Sequence, residues 1–212
     1  NGCIQGRYKC ILCSIRENAK GKGSSRRKIG TTGFFSIFIF AAGSILMLII
    51  FSGLPATGKT TLARKVAEKT GAIILRTDVI RKEMFTEPKY IEEEKEQVYN
   101  EMFSRAEKFL IKGQVVILDA NFYLQSLRDR AGDVARQSGK KFFIVECILD
   151  EEKVLERMKE RPAKQDASDA NSIEIYHRIK KLWEPIREPH IVIDASGEGA
   201  LEEVLEKISK KS

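Results

Sequence analysis

From Met47 onward the chain alternates two hydrophobic patterns. Short continuous apolar runs occur at MLIIF (47–51), AIIL (72–75), VVIL (115–118), FFIVECIL (142–149) and IVI (191–193). Such runs predict strands covered on both faces, as in a parallel sheet. Between them, apolar residues recur every three or four positions, which predicts amphipathic helices. Leu62, Ala63, Val66 and Ala67 mark a helix over 59–70 that Gly71 ends. Val98, Met102, Ala106, Phe109 and Leu110 mark one over 91–112, stopped by Gly113. Leu124, Leu127, Ala131, Val134 and Ala135 mark one over 124–138. Further helices are expected over 151–161 and 172–183, with Trp183 on the core side of the latter. Leu201, Val204, Leu205 and Ile208 mark a closing helix. Residues 162–171 (PAKQDASDAN) lose all periodicity and read as a loop. Interleaved strands and helices predict an α/β fold: a three-layer α/β/α sandwich around a five-stranded parallel sheet.

The pattern breaks down before Met47. Residues 1–33 are basic and without a period. Phe34–Phe51 then runs eighteen residues without a charge. By length this segment could be a membrane helix with its basic flank on the cytoplasmic side. Yet Met47–Phe51 must also be the strand that feeds the loop starting at Gly53. One segment cannot both span a bilayer and pair in a sheet. If the strand forms, only the thirteen residues Phe34–Leu46 remain, against the roughly 20 that a crossing needs. The expectation is therefore an N-terminal extension over 1–46, outside the functional domain, and a working domain over 47–212 that starts near Met47. The competing expectation is a genuine membrane anchor.

Charge divides at the same place. The chain has 37 Lys and Arg against 30 Asp and Glu; residues 1–46 hold eight and one of these, so the remainder carries 29 of each. The predicted domain is neutral, which gives no argument for a polyanionic partner. Three of the four cysteines, Cys3, Cys10 and Cys13, are also in the first segment. Cys10 and Cys13 have C-x-x-C spacing, but no second pair or nearby His completes a zinc site. Nothing suggests a disulfide framework, so a reducing cytoplasm is expected. Cys147, in an apolar run, reads as a small buried hydrophobe.

The chemistry is carried by Gly53-Leu54-Pro55-Ala56-Thr57-Gly58-Lys59-Thr60, which fits G-x-x-x-x-G-K-[ST], the Walker A phosphate loop, at every position. It follows a predicted strand and opens a predicted helix, the context that makes the motif specific. The loop's backbone N–H groups and the helix N-terminus favour the phosphates of ATP. Lys59 supplies a point charge to the β- and γ-phosphates, and the Thr60 hydroxyl is placed to ligate Mg²⁺. Thr61 is expected to reach the α-phosphate.

Two acids close predicted strands. Asp78 follows the second. It is either a general base for an attacking hydroxyl, with Arg81 one turn on and facing the same cleft, or merely the cap of a helix starting at Val79. Asp119 ends the third strand, where a phosphate-loop protein places its Mg²⁺-shell carboxylate; a strand-end turn is the bland alternative. Asn121 reaches the acceptor or caps the next turn. On the following helix, at least one of Arg128 and Arg130 is expected to be an exposed charge. Arg157 and Arg161, four residues apart, either form a cationic lid over about 157–172 or a solvated helix face paired with Glu156 and Glu160. His177 and His190 have no companions for a triad or a metal site.

Together GLPATGKTTLAR, LRTDVIRKEMF, VVILDANF and ERMKERPAKQDASDAN resemble the AAA-type (AAA_33-like) P-loop kinases. These are similar to polynucleotide kinase domains and zeta-toxin-like phosphotransferases. The resemblance covers about Met47–Asp194. It implies Asp78 as acceptor-activating base, Arg81 as an acceptor or phosphate contact, Asp119 as a Mg²⁺-shell or acceptor residue, and Arg157 or Arg161 on the transferring phosphate. The function it implies is an ATP-dependent kinase acting on a hydroxyl of a small-molecule acceptor. The alternatives are a polynucleotide 5′-hydroxyl kinase and a nucleotide-hydrolysing switch or motor. Against the last, N-K-x-D is absent, Asp119 is followed by Ala120, and the D-x-x-G at Asp129 lies inside a predicted helix.

Overall fold

The computed structural model of the chain describes residues 46–160 and 173–211. The expected N-terminal extension, Arg161 and most of the expected lid lie outside them. The described residues form five strands and seven helices. In chain order these are β1 (Met47–Ser52), α1 (Lys59–Thr70), β2 (Ile73–Arg76), α2 (Thr77–Met84), α3 (Glu92–Ile111), β3 (Val116–Asp119), α4 (Gln125–Gln137), β4 (Lys141–Ile148), α5 (Glu151–Glu160), α6 (Ile173–Leu182), β5 (Ile191–Asp194) and α7 (Ala200–Lys211). The strands make one parallel sheet in the order β2-β3-β1-β4-β5. This is the predicted α/β sandwich, with strand ends shifted by one residue at most. Met47–Phe51 is thus a central strand, so the eighteen-residue apolar run is not one continuous helix. Among the described residues no helix is long and apolar enough to cross a membrane.

Helices cover both faces, so β1 alternates between two cores rather than between core and water. Leu48 and Ile50 point into one core with Val98, Met102 and Leu110 of α3 and Leu127 and Ala131 of α4. Met47, Ile49 and Phe51 point into the other, with Leu62 and Val66 of α1 and Val204 and Ile208 of α7. All five are essentially inaccessible, and each such side chain contributes roughly 1.5–3 kcal/mol. A third, smaller cluster joins Val154 and Met158 of α5 and Tyr176 of α6 to Leu54 and Ala56 of the phosphate loop. Leu54 and Ala56 therefore anchor that loop from outside the sheet.

Candidate functional site

The carboxyl ends of β1, β2 and β3 meet at one level. The pairing sets Phe51 opposite Asp119 and Asp119 opposite Arg76. In an open parallel sheet this edge is where ligands bind. β1 runs into Gly53, whose N–H donates to Asn121 O at 3.2 Å. Ser52 Oγ donates to Asn121 O at the same distance. The two loops that leave β1 and β3 are thus tied together.

Gly53 is required by contact as well as by angle. Its φ is 145°, and a Cβ there would lie 2.4 Å from Cys147 O on β4. Gly58, the N-cap of α1, has φ 96°, and a Cβ on it would lie 3.1 Å from Ala195 Cβ. Lys59 is buried and donates from Nζ to Leu54 O at 2.7 Å across the loop. Thr57 Oγ1 donates to the same carbonyl at 2.9 Å. Thr61 is exposed in the first turn of α1, in a hollow shared with Ala195, Gly197 and Gly199 beyond β5.

Thr60 and Asp119 come together: Thr60 Oγ1 donates to Asp119 Oδ2 at 2.7 Å. A hydroxyl and a carboxylate oxygen side by side are hard donors of the kind Mg²⁺ takes, one or two from protein and the rest from phosphates and water. The donor set therefore fits that ion. Arg76, with Nε 3.3 Å from Asp119 Oδ2 and a terminal nitrogen 3.7 Å from Asp78 Oδ2, links the two acids. It drew no role from the sequence, because only the β2–β3 register reveals its neighbours.

Asp78 does not cap a helix that starts at Val79. α2 starts at Thr77, and Asp78 lies in its first turn. Asp78 opens onto a cavity of about 470 Å³, whose lining includes Arg81, Lys95, Tyr99, Asn121 and Tyr123. Arg81 reaches this cavity as expected but is held in an ion pair with Glu94 and lies over the Tyr90 ring, 4.9 Å from its centre. Burial opposes charge on Glu94. Hydrogen bonds from the Lys89 N–H, from Arg81 and from the Tyr90 N–H outweigh it and hold the carboxyl below its usual range. Glu94 sits in an acidic run and drew no role from the sequence. Burial raises the Tyr99 hydroxyl, against a hydrogen bond with the Phe122 backbone.

Arg157, at the end of α5, comes to the phosphate loop, with Nη1 3.5 Å from Ala56 O. Of the two arginines considered on α4, Arg130 is the one at the surface and Arg128 is not. Arg130 is half-buried and pairs with Glu96, while Arg128 is fully buried. Arg128 donates to Phe122 O at 2.6 Å, Glu184 O at 2.7 Å, Pro185 O at 3.1 Å and Gln125 Oε1 at 2.9 Å. It thereby joins the loop after Asp119 to the segment after α6. Trp183 is not core: it is half-buried and lines a second hollow of about 300 Å³ beside Gly53 and Cys147. Cys147 is buried as expected, and burial pushes its thiol up to about 12.

Several solved structures share this fold. The Mycobacterium tuberculosis APS kinase, in complex with AMPPNP and APS, matches with a TM-score of 0.61 and 21% identity, over 80% of this chain and 100% of its own. A gluconokinase from Sinorhizobium meliloti 1021 matches with a TM-score of 0.56 and 17% identity, over 79% and 98%. Chaetomium thermophilum Kti12, in complex with ADP-AlF3, matches with a TM-score of 0.61 and 18% identity, over 77% and 97%. At these identities the likeness speaks for the fold, a P-loop kinase-like α/β sandwich. Residues 48–185 match the model of the AAA domain family AAA_33, and the chain belongs to that family.

Proposed function

We propose that the protein is an ATP-dependent kinase that moves the γ-phosphoryl group to a hydroxyl of a small molecule held in the cavity beside Asp78. One observation carries the reading. A phosphate loop and a separate cavity meet across a short row of side chains, Thr60, Asp119, Arg76 and Asp78. A hydrolase or switch needs only the loop; a transferase needs a second, dry place for the acceptor. The APS kinase and gluconokinase folds support the same class.

In the proposed step the acceptor oxygen attacks the γ-phosphorus, and its proton passes to the Asp78 carboxylate. The bond between the γ-phosphorus and the β,γ-bridging oxygen breaks, and ADP leaves. Loop amides and Lys59 hold the phosphates, and Arg157 stands by the loop to meet charge on the moving group. Arg76 holds Asp78 and Asp119 in place from between them. Thr60 and Asp119 would hold Mg²⁺, which when bound neutralises phosphate charge. Inhibition of positioning or charge neutralisation should slow transfer without unfolding the chain. The test is a mass-shift screen of hydroxyl compounds with ATP·Mg²⁺ and the full chain, run beside Lys59→Ala and Asp78→Asn. Both variants should fold, and both should lose transfer by about 10²-fold or more. Full transfer by Asp78→Asn removes the base from the mechanism.

A further inference from the structure

The cavity beside Asp78 holds more positive charge than the transfer step uses. Resting on the kinase reading above, we infer that the acceptor carries an acid group of its own, phosphate ester or carboxylate, which Lys89 and Arg178 bind at the mouth of the cavity. Four cations line the space, Arg81, Lys89, Lys95 and Arg178, against two acids, Asp78 and Glu92. The inner cations are committed. Arg81 pairs with buried Glu94. Lys95 bonds Glu92 at 3.0 Å and the Tyr123 hydroxyl. Lys89 and Arg178 are exposed, and neither side chain has a carboxylate partner among the described residues.

A lone surface cation means little, since most lysines and arginines are solvated. These two differ in placement. They come from elements far apart in sequence, the loop before α3 and the middle of α6, yet converge on one concave site. Both are presented by held backbone. The Lys89 and Tyr90 N–H groups donate to Glu94 Oε2 at 2.6 and 3.2 Å, which pins the loop. Arg178 is next to Ile179 and near Tyr176 on α6, both buried. Cations carried by held backbone and converging on one concave site raise the local field felt by an anion. Between mouth and floor, Tyr99, Tyr123 and Ile179 offer aromatic and apolar walls. The fitting acceptor has its hydroxyl at Asp78 and its acid outward.

The experiment offers the full chain and ATP·Mg²⁺ three pools and follows the mass shift. One pool holds hydroxylated phosphate esters (ribose 5-phosphate, glycerol 3-phosphate, nucleoside 3′-monophosphates). Another holds hydroxy-carboxylates (gluconate, glycerate), and the third their neutral counterparts. We expect the phosphorylated species to come from an acid pool, and which pool responds distinguishes phosphate from carboxylate. The neutral counterpart should show at least about tenfold lower kcat/KM. Lys89→Ala and Arg178→Ala should each raise KM about tenfold, the scale of one charge-assisted contact, with kcat within about twofold. Lys108→Ala, an exposed cation on α3 away from the cavity, should change neither. Equal turnover of neutral compounds, or unchanged KM in both cavity variants, overturns the inference while the kinase reading stands. ATP binding without transfer to any pool removes the kinase reading, and this inference with it.

Discussion

Replacing Arg128 by Leu removes a buried side chain that joins the Asp119 loop to the segment after α6. The guanidinium serves three main-chain carbonyls, Phe122, Glu184 and Pro185, together with the Gln125 side chain. It is fully buried, so water does not replace it at Phe122 O. Burial lowers its pKa, while Glu188 and Glu184 oppose that shift; without Arg128 these acids lose their counter-charge. A buried acceptor left without a donor costs about 1–3 kcal/mol, and breaking a buried charged network by removing one partner about 3–5 kcal/mol. Leucine recovers part of this by apolar burial, and Glu184 O and Pro185 O, nearer the surface, can be rehydrated. The expected loss is about 3 kcal/mol, a large share of a stability of about 5–15 kcal/mol. Urea unfolding of wild type and variant measures it, as a lower midpoint at an unchanged slope. Arg128→Lys keeps the charge but cannot serve three carbonyls from one fork, so it should fall between the two. A loss under about 1 kcal/mol for Arg128→Leu would refute the reasoning, since it would mean the carbonyls find other donors.

Gly53→Ala should weaken binding of a fluorescent ATP analogue at least about tenfold, because its Cβ would meet Cys147 O at 2.4 Å and only main-chain movement at the phosphate loop relieves that; wild-type affinity would show that the loop does not need this approach. Cys147, with its thiol pushed up to about 12 by burial, should resist a thiol reagent at pH 8 in the folded chain and react once unfolded, as peptide mapping reads directly. The same thiol bears on alkaline stability. Above its ordinary value of 9.0 the unfolded chain releases this proton and the folded chain keeps it, so stability falls as pH rises from about 9 toward 12; Cys147→Ala should make that slope shallower. Glu94 has the opposite sign. Its depressed folded pKa contributes stability that is full above the ordinary 4.5 and is lost as pH falls through the folded value, so Glu94→Gln should flatten the acid limb of the stability curve. An unchanged acid limb would remove Glu94 from the account of the Lys89 loop.

The sequence by itself determined what is encoded within a few residues. Continuous apolar runs specified the five strands, of which the edge strand β5 is covered on one face only, with Val192 exposed; the 3.6-residue period specified the helices, and the Gly and Lys spacing specified a strand-to-helix loop shaped for phosphate. Asp78 and Asp119 were legible as strand-end acids for the same local reason. What lay beyond reach was every relation set by pairing across the sheet. Arg76 meets Asp119 only because β2 lies beside β3 in register, and the order β2-β3-β1-β4-β5 follows from long-range packing that no local period records. Arg128 and Arg130 look alike in sequence. Two helical steps of about 100° turn them to different sides of α4, and the tertiary structure decides that one side faces Phe122 and Pro185 while the other faces Glu96. Glu94 is one of five charges in six residues at the start of α3, and only the fold around Arg81 and the Lys89 loop takes it out of water. Short-range geometry is written in the identity of neighbours along the chain. Burial and charge pairing are properties of neighbours in space, which exist only once the chain has closed on itself.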